Sequence, residues 1–445
     1  TVTFKFRDGL RFSDGTPLRA SDFEHTIKRV LNLESGGSAF YLGIVGAQEY
    51  VEAARQEADI SGIETNDRTG EVTIRLLEPD GTILNVLAMN FAGVVPGDTP
   101  FRNMSREPPA GVGPYQFTES VPNRQFVLER NRRFDIPEIP KGNLDRITSR
   151  IINSRDRQAH MVIRGELDYM VDPPPSDVLP EIRSKYGDRF EEHVTVSTHY
   201  FFFNVRVPPF DRLKVRQAVN YAIDSRALGR LFGGRLEPTC NFLPSDMIGY
   251  EEIDPCPYGD PRGPGDLDRA RALIREAGAE GEEVTVWTNS EALATSVGAY
   301  LQDLLGKIGL AAKLEAVDPA VFFQTLGSQR TRAQTGFSNW FQDFPHPANF
   351  LFLLDGDSIQ PTHSQNFGNV DDPELNGLID QIQLAPAEEV ADLAAQADRL
   401  IVERAYIAPY GSERGATFMS ERMDFENCSR FHPLYHNDYS SFCLK

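Results

Sequence analysis

The strongest constraint on the fold is a strand–helix–strand pattern between residues 284 and 316. Residues 284–288 alternate between apolar and polar side chains, as in a half-buried strand. A long apolar stripe at helical spacing then ends at Gly309, and a second alternating segment covers 312–316. Two strands of one sheet that are joined through a helix run parallel, with a right-handed crossover. The pattern therefore predicts a βαβ unit and an α/β fold.

Acidic and hydroxyl side chains predict where several helices begin. Asp266 precedes one apolar stripe, and the pair Asp371–Asp372 precedes another. We interpret these acids as helix caps rather than as a general acid–base pair. Ser21 and Glu24 have the spacing of a capping box, which predicts that a helix begins near Ser21.

Length and charge exclude some classes of protein. The chain has 445 residues, enough for more than one domain, and its net charge is −20. Such a field repels phosphate backbones and anionic membrane surfaces, and the sequence has no basic patch, so we expect no nucleic-acid partner. No apolar run approaches the roughly 18 residues that a membrane helix needs. The chain opens inside a strand pattern at Thr1, so we expect that a preceding segment, including any signal peptide, has been removed or left out.

The four cysteines fall into two pairs that are close in sequence, Cys240 with Cys256 and Cys428 with Cys443. Four cysteines allow three pairings, and both local pairings close short loops. A metal site is the alternative, but no C-x-x-C spacing occurs. Two disulfides, each contributing about 3 kcal/mol, are the favoured interpretation, and they indicate an exported protein in an oxidising compartment.

Sequence motifs for catalysis are missing. There is no H-E-x-x-H and no Walker A loop, and residues 111–113 lack the third glycine of a dinucleotide fingerprint. Ser412 directly follows a glycine, so residues 411–415 are not the G-x-S-x-G nucleophile elbow. We therefore predict that the chain is not an enzyme and has no metal site and no cofactor.

One segment, residues 339–347, combines three aromatic side chains, the carboxylate of Asp343 and two prolines. The prolines exclude a regular helix. Aromatic faces such as those of Trp340 and Phe341, together with one carboxylate, suit a ligand that carries an amine on an apolar body. The alternative is a loop whose aromatic side chains only fill the core.

Nine short sequence blocks, spread over the first half of the chain, form a recognisable series of motifs. They are residues 1–9 (Thr-Val-Thr-Phe-Lys-Phe-Arg-Asp-Gly), 12–18, 21–23, 111–115 (Gly-Val-Gly-Pro-Tyr), 128–131, 165–168, 203–204, 209–211 and 215–224 (Val-Arg-Gln-Ala-Val-Asn-Tyr-Ala-Ile-Asp). Together they resemble the family 5 extracytoplasmic solute-binding proteins of ABC transporters, the group of the oligopeptide- and dipeptide-binding proteins. Val112 stands where that family usually has threonine. In the family a further segment normally precedes the opening strand.

The resemblance implies an α/β, two-lobed periplasmic-binding-protein-like fold with an extra domain on the first lobe. We expect the extra domain at residues 1–112 and the first lobe at 113–203. The second lobe would be 204–409, and 410–445 would return to the first lobe. A hinge crossing is expected near residues 203–204.

The resemblance also implies a function. The chain would be an extracytoplasmic receptor, in the periplasm or on the outer face of the cell membrane, secreted or lipid-anchored, and monomeric. It would deliver a ligand, with a short peptide as the leading candidate, to the permease of an ABC transporter by closing two lobes around it. Membrane contact would come only through a lipid anchor or the permease. The alternatives are a nickel chelate, haem, a sugar or an opine as ligand, a chaperone or adhesin on the same scaffold, or a secreted hydrolase.

The same resemblance implies particular ligand contacts. In peptide-binding relatives a W-x-x-D segment presents its carboxylate to the α-ammonium group of the peptide, and Trp340 and Asp343 occupy these positions. Phe341 lies between them. Tyr41 resembles an aromatic residue that the extra domain offers to the ligand, and Tyr410 resembles one near the last hinge strand. We therefore expect these five residues to bind the ligand.

The segment departs from the family pattern at two positions. Asn339 stands where a glycine usually precedes the tryptophan, and His346 replaces an acid. No arginine can be assigned to a ligand carboxylate with any specificity, although Arg332 and Arg414 are available.

Overall fold

A computed structural model describes residues 1–53, 56–432, 434 and 436–445. In chain order the strands are β1 (Val2–Lys5), β2 (Ile63–Asn66), β3 (Glu71–Ile74), β4 (Tyr115–Val121), β5 (Gln125–Arg130), β6 (Arg146–Arg150), β7 (Tyr169–Met170), β8 (Phe190–Val194), β9 (Ser197–Phe203), β10 (Leu236–Glu237), β11 (Glu283–Asn289), β12 (Ala311–Val317), β13 (Thr335–Phe341), β14 (Ile407–Met419), β15 (Phe431–His432) and β16 (His436–Asn437).

The helices are α1 (Ala20–Asn32), α2 (Ala47–Ala53), α3 (Ile83–Ala88), α4 (Arg155–Ile163), α5 (Leu179–Lys185), α6 (Leu213–Ala222), α7 (Ser225–Leu231), α8 (Leu267–Glu276), α9 (Ala292–Ile308), α10 (Phe322–Leu326), α11 (Ala348–Leu351), α12 (Pro373–Leu384), α13 (Ala387–Glu403) and α14 (Phe425–Cys428). None of these described helices combines the length and apolar character that a bilayer crossing requires. The α/β fold class predicted from the sequence is confirmed.

The chain divides into two compact units. The first comprises Thr1–Met170 and Met419–Lys445, and the second comprises Val171–Phe418. Strand β9, at whose end a hinge crossing was expected, lies wholly inside the second unit. The three-part organisation with limits near residues 112, 203 and 409 stays a prediction.

In the first unit, two three-stranded antiparallel sheets have the orders β1-β3-β2 and β4-β5-β6. Helix α1 buries Phe23, Ile27 and Leu31 on one face, at the spacing of an amphipathic helix. The ring of Phe23 lies edge-on to that of Phe4, with 5.3 Å between the ring centroids. Each fully buried side chain of this size contributes about 1.5–3 kcal/mol.

The start of α1 corrects the predicted capping box. The backbone N–H of Arg19 donates to Asp22 Oδ2 at 2.7 Å, so Arg19 is the capping residue. Ser21 and Glu24 do not form the box. The backbone N–H and the hydroxyl of Ser21 instead donate hydrogen bonds to the carboxylate of Asp67, at 2.8 and 3.0 Å. A contact with a residue far away in the sequence has replaced the local one.

The second unit contains a mixed sheet whose strand order is β10-β14-β9-β13-β11-β12. Strand β9 runs antiparallel to both β13 and β14, whereas β11 runs parallel to β12 and β13. All residues of β9 are buried, as expected for a strand inside a sheet that is covered on both faces. Four of them, Tyr200 to Phe203, are aromatic, so β9 provides much of the core of this unit.

The predicted βαβ unit is confirmed. Strands β11 and β12 pair in parallel through α9, which ends at Gly309 in the left-handed conformation with φ of 107°. The predicted caps are also present. Asp266 accepts from the backbone N–H of Arg269, and Asp372 accepts from those of Glu374 and Leu375.

Both local disulfides are confirmed. Cys240 is bonded to Cys256 in the second unit, and Cys428 is bonded to Cys443 in the first. The sequence separations are 16 and 15 residues, so each bond closes a short loop.

The double variant Cys240→Ser/Cys256→Ser is expected to lose about 3 kcal/mol of unfolding free energy, because the open loop gains entropy in the unfolded chain. Guanidinium unfolding without reductant measures this loss, with the Cys428–Cys443 bond left intact in both proteins. An unchanged midpoint and slope in the variant would contradict the assignment of a stabilising role to this bond.

Candidate functional site

The segment singled out in the sequence begins as a strand and continues as a turn. Trp340 and Phe341 are the last residues of β13, which is paired along its length with β9. The backbone N–H of the buried Gln342 donates to Val196 O at 2.9 Å, which extends the contact by one residue. The chain then bends, and helix α11 begins after Pro347. The absence of a regular helix across the two prolines is confirmed for this described segment.

Asp343 follows the strand and is held by a residue of α11. The backbone N–H of Asp343 donates to Asn349 Oδ1 at 2.7 Å, and Asn349 Nδ2 donates to Asp343 Oδ2 at 3.1 Å. The indole Nε1 of Trp340 lies 3.4 Å from the same Asn349 Oδ1, to which it donates. Asn349 is completely buried, whereas Asp343 and Trp340 are half-buried. Two of the residues predicted from the sequence therefore share one buried carboxamide.

The Asp343 carboxylate carries a charge that the protein does not neutralise. In the described part of the chain, no Lys, Arg or His side chain forms an ion pair with it. Burial raises the pKa of Asp343, and the hydrogen bond from Asn349 partly offsets that rise. A half-buried carboxylate whose partner is only an amide has no counter-charge, so a cation bound next to it would be stabilised.

The two aromatic residues of the segment contact different neighbours. The Trp340 ring lies edge-on to Phe352, with 5.2 Å between the centroids. The Phe341 ring lies edge-on to His199, with a centroid distance of 5.9 Å. Both side chains are half-buried, which leaves part of each ring accessible.

Tyr410 lies beside the same histidine. Its ring centroid is 6.0 Å from that of His199 and 4.7 Å from that of Phe201. The residue is 1% exposed, burial raises the pKa of its phenol, and its hydroxyl has no hydrogen-bond partner in the described part of the chain. The rings of Phe341 and Tyr410 therefore both lie close to the imidazole of His199.

A buried ionic cluster, formed by His199, Arg235 and Glu413, lies next to Tyr410. Arg235 Nη1 donates to Glu413 Oε1 at 2.5 Å and to Arg414 O at 2.8 Å. His199 Nε2 lies 3.4 Å from Glu413 Oε2. Burial favours a raised pKa for Glu413, but His199 and Arg235 outweigh it and hold that pKa at about 2. Glu413 is therefore ionised throughout the physiological range.

Tyr41 belongs to the first unit and is 0% exposed. It ends a short 3₁₀ turn, and its hydroxyl donates to Val86 O at 3.3 Å. Burial also raises the pKa of this phenol. Its location is that of a core residue, and its role as a ligand contact stays a prediction.

The two arginines considered from the sequence have surface positions. Arg414 donates to Glu237 Oε2 at 3.3 Å. Arg332 is exposed and lines a cavity of about 150 Å³ together with Arg206 and Asn369. A larger cavity of about 280 Å³ lies beside the Cys240 loop and is lined by Ser412, two residues after Tyr410.

The sequence did not predict Asn349, His199, Arg235 or Glu413. Asn349 could have been suspected, because Pro347 starts a helical turn that returns the chain towards Asp343. The ionic cluster gave no local signal, since Arg235 and Glu413 are 178 residues apart.

Potential metal ligands are close together at one place in the described residues. Asp424 lies near Cys428 and Cys443, but the two sulfurs are joined to each other in a disulfide. A metal ion binds cysteine as a free thiolate, and neither sulfur of a disulfide is one. The Asp424 carboxylate is therefore the single potential ligand of this group.

Fold and site together describe an α/β protein in which a half-buried carboxylate lies in the same segment as two partly exposed aromatic rings. The sequence profile of the bacterial extracellular solute-binding proteins, family 5, matches residues 1–361, and the chain belongs to this family. The resemblance that the sequence blocks carried is thereby confirmed.

Similar proteins have been named in several bacteria. Glutathione-binding protein GsiB of Shigella flexneri is 25% identical over 350 residues, which cover 76% of this chain and 63% of that protein. The protein of the same name from Salmonella typhi has the same identity and coverage. The chain thus spans less than two thirds of the length of these relatives.

Solved structures share the fold over nearly the whole chain. Clavulanic acid biosynthesis oligopeptide binding protein 2 is 26% identical, with a TM-score of 0.87 over 99% of this chain and 83% of that one. The murein tripeptide binding protein MppA of Escherichia coli has a TM-score of 0.82 at 19% identity, over 99% of this chain and 86% of that one. DppA of Helicobacter pylori, solved with a bound peptide, has the same values. These likenesses confirm the periplasmic-binding-protein fold.

Proposed function

We propose that this chain is the solute receptor of an ABC transporter and that its ligand is a short peptide with a free amino terminus. The receptor binds the peptide outside the cytoplasm and hands it to the permease. The family is one of binding proteins, and we propose that no bond of the ligand is broken.

The Asp343 carboxylate carries this proposal. It is half-buried, it is held by the Asn349 amide, and no cationic side chain among the described residues neutralises it. A peptide α-ammonium group supplies the missing charge and three N–H donors. A charge-assisted hydrogen bond of this kind contributes about 1.5–3 kcal/mol.

The names of similar proteins support a peptide ligand. Relatives in sequence are named for glutathione, which is itself a tripeptide, and neighbours in structure are named for oligopeptides and a murein tripeptide. Each of these ligand classes carries a free ammonium group beside amide bonds. The half-exposed rings of Trp340 and Phe341 give an apolar surface for the peptide body.

We also propose the cellular setting that the family resemblance implies. The receptor is located in the periplasm or on the outer face of the cell membrane, attached through a lipid or free, and acts as a monomer. Ligand contacts favour a closed state of the two lobes over an open one, and the permease recognises the closed state. The net charge of −20 is consistent with the absence of nucleic-acid partners.

We expect that native mass spectrometry of the purified protein shows bound peptides, which can be released and sequenced. Titration calorimetry should then show that unmodified tripeptides and glutathione bind, and that N-acetylation of the same tripeptide weakens binding at least tenfold through the lost ammonium contact. Chromatography of the peptide after prolonged incubation should show no product.

Other outcomes identify the alternatives. Binding of a nickel chelate, haem, a sugar or an opine, without binding of any peptide, would overturn the peptide assignment. New peptide products would indicate a hydrolase. Peptide binding with no permease recovered by cross-linking in membranes would favour a chaperone or an adhesin.

A further inference from the structure

We propose that Asn349 is a positioning residue that sets the preference for ligands with a charged amino terminus. Its carboxamide holds the Asp343 carboxylate and the Trp340 indole in one fixed arrangement. This inference rests on the proposed role of Asp343 in binding an ammonium group.

The contacts of Asn349 define the orientation of its amide. Oδ1 accepts from the backbone N–H of Asp343 at 2.7 Å and from Trp340 Nε1 at 3.4 Å, whereas Nδ2 donates to Asp343 Oδ2 at 3.1 Å. Rotating the amide by 180° would place donors against two N–H groups and an acceptor against a carboxylate. The carboxamide therefore has a single favourable orientation, and it is 0% exposed.

The surrounding segment explains why a side chain has to provide this support. Pro345 and Pro347 have no backbone N–H, so the turn between Asp343 and α11 has few donors of its own. The backbone N–H of Asn349 donates to His346 O at 2.9 Å, which closes the turn. Asn349 thereby reaches back to a residue six positions earlier.

The arrangement has a chemical consequence for the ligand. Asn349 engages Oδ2 of Asp343, and no described residue donates to Oδ1, so Oδ1 can accept from an ammonium group. The same donation from Asn349 counteracts the rise that burial causes in the pKa of Asp343. His346 is the other titratable side chain of this turn, and its Nδ1 accepts from the backbone N–H of Ala348 at 3.2 Å.

The test compares the Asn349→Leu variant with the unsubstituted protein for one tripeptide in its free and N-acetylated forms. Leucine has a similar volume but lacks both hydrogen-bonding functions. We expect affinity for the free peptide to fall at least tenfold and affinity for the acetylated peptide to change less than threefold. We also expect acid to abolish binding of the free peptide at a higher pH, since loss of the donor raises the pKa of Asp343 further.

Asn366→Leu is the matched control, because Asn366 is also 0% exposed and makes three hydrogen bonds in the same unit. It should leave the ratio of the two affinities unchanged. Asn349→Ser, which keeps a small hydroxyl donor, should show an intermediate ratio and replaces the leucine variant if that variant does not fold.

Two results would overturn the inference. One is an equal loss of affinity for both peptides, which is what a purely structural role predicts. The other is a folded Asn349→Leu variant with an unchanged ratio and an unchanged pH profile. Failure of the proposed function is distinguishable, because the unmodified protein would then not prefer the free peptide at all.

Discussion

Replacing Arg235 by methionine is expected to lower the free energy of unfolding by about 3–5 kcal/mol at pH 7, because Glu413 then stays buried without its nearest cationic partner. The Arg235 side chain is 4% exposed and that of Glu413 is 14% exposed, so water cannot replace the lost contact. His199 remains 3.4 Å from the other carboxylate oxygen, but it carries a charge only when protonated. Urea unfolding of both proteins measures the difference.

Two further variants test whether the loss of stability in Arg235→Met comes from the unpaired Glu413 charge. Arg206→Met removes an ion pair with Asp371 whose side chains are both 51% exposed, and should cost less than about 1 kcal/mol. Adding Glu413→Leu to Arg235→Met should recover most of the loss, because the unpaired charge is gone. A loss in Arg235→Met no greater than that in Arg206→Met would refute the importance of the ionic cluster.

The same cluster predicts a direction for acid unfolding. The pKa of Glu413 is held at about 2, below its ordinary value of 4.5. A group with a lowered pKa in the folded state contributes stability above its ordinary value, and that contribution disappears as the pH falls towards 2. Without Arg235 the pKa of Glu413 rises. The free energy of unfolding of the Arg235→Met variant should therefore fall less than that of the unsubstituted protein between pH 4.5 and pH 2.

Asp343→Asn is expected to weaken binding of a free-amine peptide by about tenfold to 150-fold, which corresponds to about 1.5–3 kcal/mol for a charge-assisted hydrogen bond. Asp343→Ala should also lose at least tenfold. The melting temperature should stay the same or rise, since the substitution removes a half-buried charge that has no cationic partner. Calorimetric titration and a thermal melt of the same samples measure both quantities.

Asp355→Asn is the matched control, because burial also raises the pKa of Asp355, to about 6, within the same unit. It should leave peptide affinity unchanged. An Asp343→Asn variant that binds the free peptide as well as the unmodified protein does would contradict the assignment of Asp343 to the ammonium group.

These features differ in how far the sequence could predict them. The βαβ unit and the caps at Asp266 and Asp372 depend on neighbours a few residues away, and they were predictable. The start of α1 was not, because Ser21 is bound by Asp67, 46 residues further on.

The residues of the candidate site also differ in how far the sequence could predict them. Asp343 and Trp340 could be singled out from the composition of a short segment and from the family resemblance. The buried ionic cluster could not, because it forms only when β9, β14 and the residues before β10 come together in the folded unit. A buried Arg or Glu has no distinguishing pattern in a single sequence.

Strand β13 anchors the segment that contains the proposed ligand contacts to the sheet of the second unit. Its residues are paired with β9 from Thr335 to Phe341, and its first residues are also paired with β11. The residues from Gln342 to Asn349 lie beyond the last of these pairs. Substitutions in this short stretch should therefore alter the proposed ligand contacts without breaking a strand pair, which makes it a suitable target for engineering ligand specificity.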